Sequence, residues 1–195
     1  YLIFEFVKHE KSYDKNFKQS DCIFRVVRNW QESESFGAST PGPLMAAIKV
    51  KFPEIVTGTR LIGSSDNIVI KEKQEFHEDL IGYADSTFFK TFNMVLVKGN
   101  TDKALTESGN LVISKSASKR YFGKEDPIGQ KLIFEGYNFD ETNNTFTITG
   151  IFEDFPNTCH LKTDFLLSIY SFGFVFQTNP TNHFLMTYLR LNNQN

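Results

Sequence analysis

Twenty-one of the 195 residues are phenylalanine, against seven tyrosines and one tryptophan. A chain with so many large apolar rings has the material for a sizeable core, each buried ring contributing about 2–3 kcal/mol over exposure. The length suits one domain or two small lobes. Hydrophobic residues at 40% and charged residues at 23% fit a globular protein rather than a disordered or fibrous one. The formal net charge is -2, so the chain lacks the basic excess that a nucleic-acid binder concentrates on one face. No run approaches the roughly 18 apolar residues of a membrane span, and no signal-peptide pattern is present. The chain opens at Tyr1, as a fragment or processed product would, and Tyr1–Val7 reads either as the last turns of a membrane helix or as a buried helix turn. On residue pattern alone the buried turn is favoured.

Residues 5–19 carry apolar side chains at Phe6, Val7, Tyr13 and Phe17 and predict an amphipathic helix end. Cys22–Val27 is β-branched and aromatic, which predicts a buried strand, and Gln31–Thr40 reads as a loop. Pro41-Gly42-Pro43 opens a helix that Pro53 halts, because proline suits a first turn and obstructs a later one. Ile55–Ile62, Asn67–Lys71 and Glu75–Tyr83 are strand candidates, with turns at Gly63–Asp66 and Glu72–Gln74. Ser86 is placed to cap a helix over Thr87–Phe92, with Phe88, Phe89 and Phe92 buried. Asn110–Ile113 is a strand running into Ser114 as helix cap; Lys115–Phe122 is the helix and Gly123 its stop. Gln130–Glu135 and Thr145–Phe152 predict a hairpin across the polar stretch Gly136–Asn144. His160–Ile169 is mixed in pattern, and Thr187–Leu191 is a final strand. The class expected is α+β.

The search for chemistry yields no catalytic, cofactor or metal residues. Gly37–Gly42 and Gly58–Gly63 have phosphate-loop spacing but lack the lysine that reaches the β- and γ-phosphates. His77-Glu78 begins like a zinc-protease helix, but Ile81 stands where the second histidine belongs. His9, His77, His160 and His183 share no ligand spacing. Glu75, Glu78 and Asp79 read as a solvated strand face. Cys159 and His160 are adjacent, and on a strand adjacent side chains point to opposite faces, which argues against a working pair. Cys22 and Cys159 leave reduced thiols, one long-range disulfide or two buried small side chains open, with reduced thiols favoured. No Gly-x-Ser-x-Gly elbow occurs, and Asn143-Asn144-Thr145 matches a glycosylation acceptor only weakly.

A set of ordered motifs carries a family resemblance. They are Ser12-Tyr13-Asp14, Ile23–Val26, Phe52-Pro53-Glu54-Ile55-Val56, Phe88-Phe89, Leu96-Val97-Lys98-Gly99 and Ala104-Leu105. The most specific is Ala117–Lys131, containing Tyr121-Phe122-Gly123 and Asp126-Pro127-Ile128-Gly129. Phe146–Ile151, Asp154-Phe155-Pro156 and Cys159-His160-Leu161 follow. Together, from about residue 8 to residue 190, they resemble the extracytoplasmic domain between the first two membrane helices of MacB/FtsX-type ABC transporter permeases. Cys159 stands where that family more often has a small hydroxyl residue, and Phe24 where tyrosine is usual.

The resemblance implies a two-lobed α+β domain: a larger porter-like β-α-β lobe with a smaller β-rich inserted lobe. Residues 1–19 become a membrane-proximal helix end, 20–108 and 157–195 the larger lobe, and 109–156 the insertion. It also implies a non-catalytic domain without cofactor, facing the periplasm or other extracytoplasmic side of the inner membrane. The implied partners are a cytoplasmic ATPase subunit or domain, a second permease protomer and a periplasmic adaptor or cargo, with no nucleic acid. A periplasmic peptide-, lipid- or lipoprotein-binding module is the alternative expectation. The motif glycines and Pro127 are read as architectural, and Phe172–Phe176 as either core strand or contact patch.

Overall fold

The computed structural model describes residues 14–15, 17–29, 36–64, 67–136, 144–172 and 178–192. Strands β1 (Ile23–Arg25), β2 (Arg28–Asn29), β3 (Phe36–Gly37) and β4 (Ser39–Pro41) lead to helix α1 (Leu44–Lys51). Next come β5 (Ile55–Ser64), β6 (Asn67–Lys71), β7 (Gln74–Glu78), β8 (Ile81–Ala84), the short helix α2 (Phe88–Thr91) and β9 (Leu96–Gly99). β10 (Asn110–Ser114) runs directly into helix α3 (Lys115–Phe122), followed by β11 (Lys131–Glu135), β12 (Thr145–Phe152), β13 (Phe165–Ser168) and β14 (His183–Leu191). Apart from the β2–β3 pair, these strands form one mixed sheet in the order β1-β14-β5-β8-β13-β10-β12-β11-β6-β7, with β4 on β14 and β9 on β12. The β8–β13 and β10–β12 pairs are parallel. A mixed sheet with a few helices is the α+β class expected from sequence.

The central strands read as unbroken apolar runs because both of their faces are covered. Leu111 and Ile113 of β10 pack with Phe165 and Leu167 of β13, with Ala117, Tyr121 and Phe122 of α3, and with Phe134 and Phe146. Val112 and Leu166, one residue out of phase, belong to the opposite cluster, where Phe88, Phe89 and Phe92 meet Phe17, Phe152 and Leu105. The rings interlock at specific angles: Phe134 and Tyr121 stand edge-on to Phe165 at 5.7 and 5.5 Å. On the other side Phe92 lies 4.9 Å from Phe17 and 5.2 Å from Tyr188. This is where the phenylalanine excess goes.

Local signals explain α3. Ser114 Oγ accepts from the Ala117 amide at 3.0 Å, the N-cap its sequence position predicts. Gly123, at φ +60, ends the helix in a conformation other residues disfavour. Asp154 adds a second N-terminal acceptor: the Ser116 amide and hydroxyl donate to its Oδ1 at 2.9 and 2.5 Å. Burial acts to raise the Asp154 carboxyl, but the Ser116 bonds and the Lys115 charge outweigh it and hold it below the ordinary aspartate value. A depressed folded-state pKa confers stability above the unfolded value that is lost as pH falls through the folded one. The expected result is that wild type melts above Asp154→Ala at neutral pH. The gap should close as the pH of the melt drops below about 4.

One buried ion pair crosses from β5 to the end of β8. Asp85, 5% exposed, receives Arg60 Nη2 on Oδ1 at 2.7 Å and both the Arg60 amide (2.6 Å) and Nε (3.0 Å) on Oδ2. Arg60 Nη1 also donates to the Gly42 carbonyl at 3.1 Å, which ties β5 to the turn before α1.

Several sequence expectations are corrected. Cys22–Val27 gives a strand, β1, but an edge strand: Phe24 is 49% exposed, and among the described residues β1 pairs with β14 alone. The helix expected over 5–19 does not extend through its described part. Asp14 and Gln19 take left-handed φ values of 59° and 61°, which break a helical path, and residues 20–22 form a single 3-10 turn. Residues 5–13, the Tyr1–Val7 segment and the turn at 65–66 lie outside the described residues. The loop expected over 31–40 contains β3 and part of β4 in its described portion. The candidate strand Glu75–Tyr83 is two strands, β7 and β8. The chain changes partners between them, with the Leu80 carbonyl accepting from the Asp164 and Phe165 amides. Ser86 is not the cap of α2. Thr87 holds that position without a side-chain cap, its hydroxyl instead donating to the Gly58 carbonyl at 2.6 Å. Phe172 is part of the core, 5.0 Å from Tyr83 and 6.0 Å from Phe184, while 173–176 lie outside the described residues.

Candidate functional site

Beside the β1–β14 edge, segments distant in sequence meet around a cleft of about 470 Å³. Its apolar floor is Phe17, Ile23, Phe92 and Tyr188, and its charged rim includes Asp14, Lys15, Asp21 and Arg25. The register of β1 against β14, Ile23 opposite Arg190 and Arg25 opposite Tyr188, places the Tyr188 ring next to the incoming segment.

Asp14 organises one wall. Its amide donates to the Thr158 carbonyl at 2.8 Å, and its Oδ1 accepts both the His160 amide at 2.9 Å and His160 Nδ1 at 2.7 Å. Burial acts to raise this carboxyl; the His160 amide, ring and charge, with the Cys159 thiol, outweigh it and lower it. The other ring nitrogen, Nε2, lies 2.7 Å from the Tyr188 hydroxyl, and the two rings stack at 5.5 Å. The Tyr188 hydroxyl also faces Met186 Sδ at 3.9 Å. Burial pushes the Tyr188 hydroxyl above the ordinary tyrosine pKa, against the opposing charge of Arg25. Cys159 is fully buried and its thiol is pushed up to about 11, by burial first and by the Asp14 charge. A thiol in that state is protonated at neutral pH and is a poor nucleophile.

The expectation that Cys159 and His160 diverge rested on a strand. They instead follow a turn at 157–158, off any strand, and both face Asp14. Asp14, Cys159 and His160 are the one group of three metal-capable side chains among the described residues, their ligand atoms all within 4.8 Å of one another. Residue spacing could not find them, since Asp14 and His160 are 146 positions apart. Neither Cys22 nor Cys159 is in a disulfide.

The other motifs fall elsewhere. Gly58 and Gly63 both lie on β5, and Gly37 and Pro41 end β3 and β4, so neither glycine pair bounds a loop. His77 is exposed on β7, opposite Ile68. Glu78 is not solvated as expected: its side chain is 11% exposed and accepts from Arg120 Nη2 at 2.7 Å and the Tyr121 hydroxyl at 2.9 Å. Asn143 lies outside the described residues. No described helix is long and apolar enough to cross a membrane.

The family model of the MacB-like periplasmic core domain matches residues 2–194. The chain belongs to that family. Three solved structures share its fold. A domain of a presumed permease protein from Porphyromonas gingivalis superposes with a TM-score of 0.78 at 23% identity, over 92% of this chain and 79% of that one. The periplasmic region of MacB from Actinobacillus actinomycetemcomitans gives 0.63 at 16% identity, over 98% and 81%. The extracellular domain of the noncanonic ABC-type transporter YknZ from Gram-positive bacteria gives 0.56 at 14% identity, over 87% and 82%. No curated protein matches the chain by sequence. As a MacB-like periplasmic core domain, the protein is the extracytoplasmic domain type of MacB/FtsX-like ABC permeases, a family whose domain is non-catalytic.

Proposed function

We propose that this MacB-like domain passes force between the membrane helices of an inner-membrane permease and the extracytoplasmic space, driven by ATP hydrolysis in a separate cytoplasmic ATPase subunit or domain. One observation carries the reading. β1 and β14 pair antiparallel at the sheet edge with Ile23 opposite Arg190, so the incoming and outgoing chain segments emerge side by side. Both also bond inward: Asp14 to the 158–160 segment, and the Asn192 amide to the Glu54 carbonyl at 2.9 Å. A body gripped at two neighbouring points on one edge and built on one continuous sheet moves as a unit when those points move. Within it, residues 109–156 are the smaller lobe, whose parallel β10–β12 pair with α3 in its crossover is a local β-α-β unit. Residues 20–108 and 157–195 are the larger one. The assembled permease contains two copies, related by a two-fold axis, and engages an adaptor or cargo.

The test uses the full permease with its ATPase and a spin label at Val50, which is 88% exposed on α1. ATP is expected to change the label-to-label distance between the two copies. Flexible Gly/Ser insertions before Asp14 and after Asn192 are expected to abolish that change while ATP hydrolysis continues. A nucleotide-driven change that survives both insertions, or none in the unmodified permease, overturns the proposal. A second reading, a module that binds peptide, lipid or lipoprotein, has the cleft beside His160 in its favour, since a concave site with an apolar floor is what such a ligand needs. Its ligand binding would survive the same insertions.

A further inference from the structure

We infer that Asp14, Cys159 and His160 form a binding site for a thiophilic divalent transition metal, Zn(II) being the ion that fits. The donor set is one sulfur, one imidazole nitrogen and one carboxylate oxygen, a mixture suited to zinc and unsuited to calcium or magnesium, which take oxygen ligands. Three protein ligands leave a fourth tetrahedral position, and Asp14 and His160 both line the cleft through which solvent would supply it.

A second observation points the same way. A histidine that ligates through one ring nitrogen commonly donates the proton on the other to an outer partner, which fixes the ring. His160 Nδ1 faces Asp14, on the side of the ligand cluster, and Nε2 faces the Tyr188 hydroxyl at 2.7 Å. With metal on Nδ1, the ring proton sits on Nε2 and donates to the Tyr188 oxygen, and the hydroxyl proton of Tyr188 is free to turn toward Met186 Sδ. The outer shell a zinc site requires is already built.

On binding, the Cys159 S–H bond breaks, its proton leaves to bulk solvent, and the sulfur electron pair forms the S–Zn bond. The His160 Nδ1–H proton is exchanged through solvent for one on Nε2, which frees the Nδ1 lone pair for the N–Zn bond with no net change in ring charge. Asp14 exchanges hydrogen bonds from His160 and Cys159 for the metal. The Asp14–His160 separation of 2.7 Å opens by less than about 1 Å to accommodate ligands around a tetrahedral ion. Because the metal displaces the thiol proton, affinity rises with pH. The ion joins the incoming segment to a segment 146 residues later, and so favours the folded chain over the unfolded one. This site stands independently of the force-transmission proposal.

The experiment titrates the reduced 195-residue chain with Co(II), then displaces it with Zn(II). Expected are one Co(II) per chain, tetrahedral visible bands, a thiolate-to-cobalt charge-transfer band in the near ultraviolet, and about one proton released per ion. Zn(II) at a hundredfold excess over its Kd should raise the melting temperature by about 5–10 °C. Cys159→Ser should lose the charge-transfer band and bind at least about tenfold more weakly, since even outer-shell losses cost that much. Tyr188→Phe should keep the band but weaken binding by about tenfold. Cys22→Ser should change neither. No charge-transfer band in wild type, or a band and affinity unchanged in Cys159→Ser, overturns the proposal. Should Cys159→Ser fail to fold by circular dichroism, Cys22→Ser and Tyr188→Phe decide. Loss of the band in Cys22→Ser, or wild-type affinity in Tyr188→Phe, overturns it, and the expected pattern in both sustains it.

Discussion

Asp85→Ala is expected to destabilise the domain by about 3–5 kcal/mol, the cost of stranding one partner of a buried ion pair. For a chain of this size that is a fall in melting temperature of roughly 10–15 °C. The geometry explains why the loss is so large. Arg60 is only 11% exposed, its side chain gives two of its hydrogen bonds to the Asp85 carboxylate, and its backbone amide gives a third. Removal of the carboxylate leaves a buried guanidinium still held by the Gly42 carbonyl but with little water to replace what was lost. The double variant Arg60→Met with Asp85→Leu should recover most of the loss, because it removes the stranded charge along with its partner. Thermal or urea melts of the three variants check this. A single variant within about 1 kcal/mol of wild type would show that water reaches the pair.

Gly99→Ala is expected to cost about 2–4 kcal/mol and to detach β9 from the sheet. Gly99 sits at φ +102, where a side chain is strained, and a Cβ there would lie 2.5 Å from the Thr149 carbonyl oxygen and 2.8 Å from the Gly150 Cα. Both obstructing groups are backbone of β12, so no side chain can swing aside. The loss should be local as well as global: hydrogen exchange at the β9 amides should accelerate more than at β13 in the sheet interior. Gly63→Ala is the control. A Cβ at Gly63 meets nothing within 4 Å, and its φ is not positive, so that variant should melt near wild type.

Features carried by short-range chemistry were readable from sequence. The stretch from Asn110 to Gly123 specifies a strand, a serine cap, a helix and a glycine stop within fourteen consecutive positions, and β10 and α3 follow it closely. The β11–β12 hairpin was equally legible, since Ile133 pairs with Thr145 across a polar stretch. What escaped was decided by partners far along the chain. Residues Cys22 to Val27 have the apolar content of a core strand, and only the sheet order makes β1 an edge. The break between β7 and β8 leaves little mark in sequence, because it is set by Asp164 and Phe165 bonding to Leu80. The Asp14–His160–Tyr188 wall was illegible for the same reason: adjacency of Cys159 and His160 suggested opposed side chains, and the turn at 157–158 with an aspartate from the other end of the chain reversed that.

The pairing of β1 with β14 spans three residue pairs, and its two free ends point the same way. A load that draws those ends apart would open such a ladder one rung at a time, like a zip, rather than shear all its bonds together. Small separating pulls would therefore be absorbed at the edge before they reached β5. Loads that carry both ends in the same direction would leave the ladder slack and swing the sheet whole. Under the proposed force transmission, the joint would pass concerted displacement and yield to splaying.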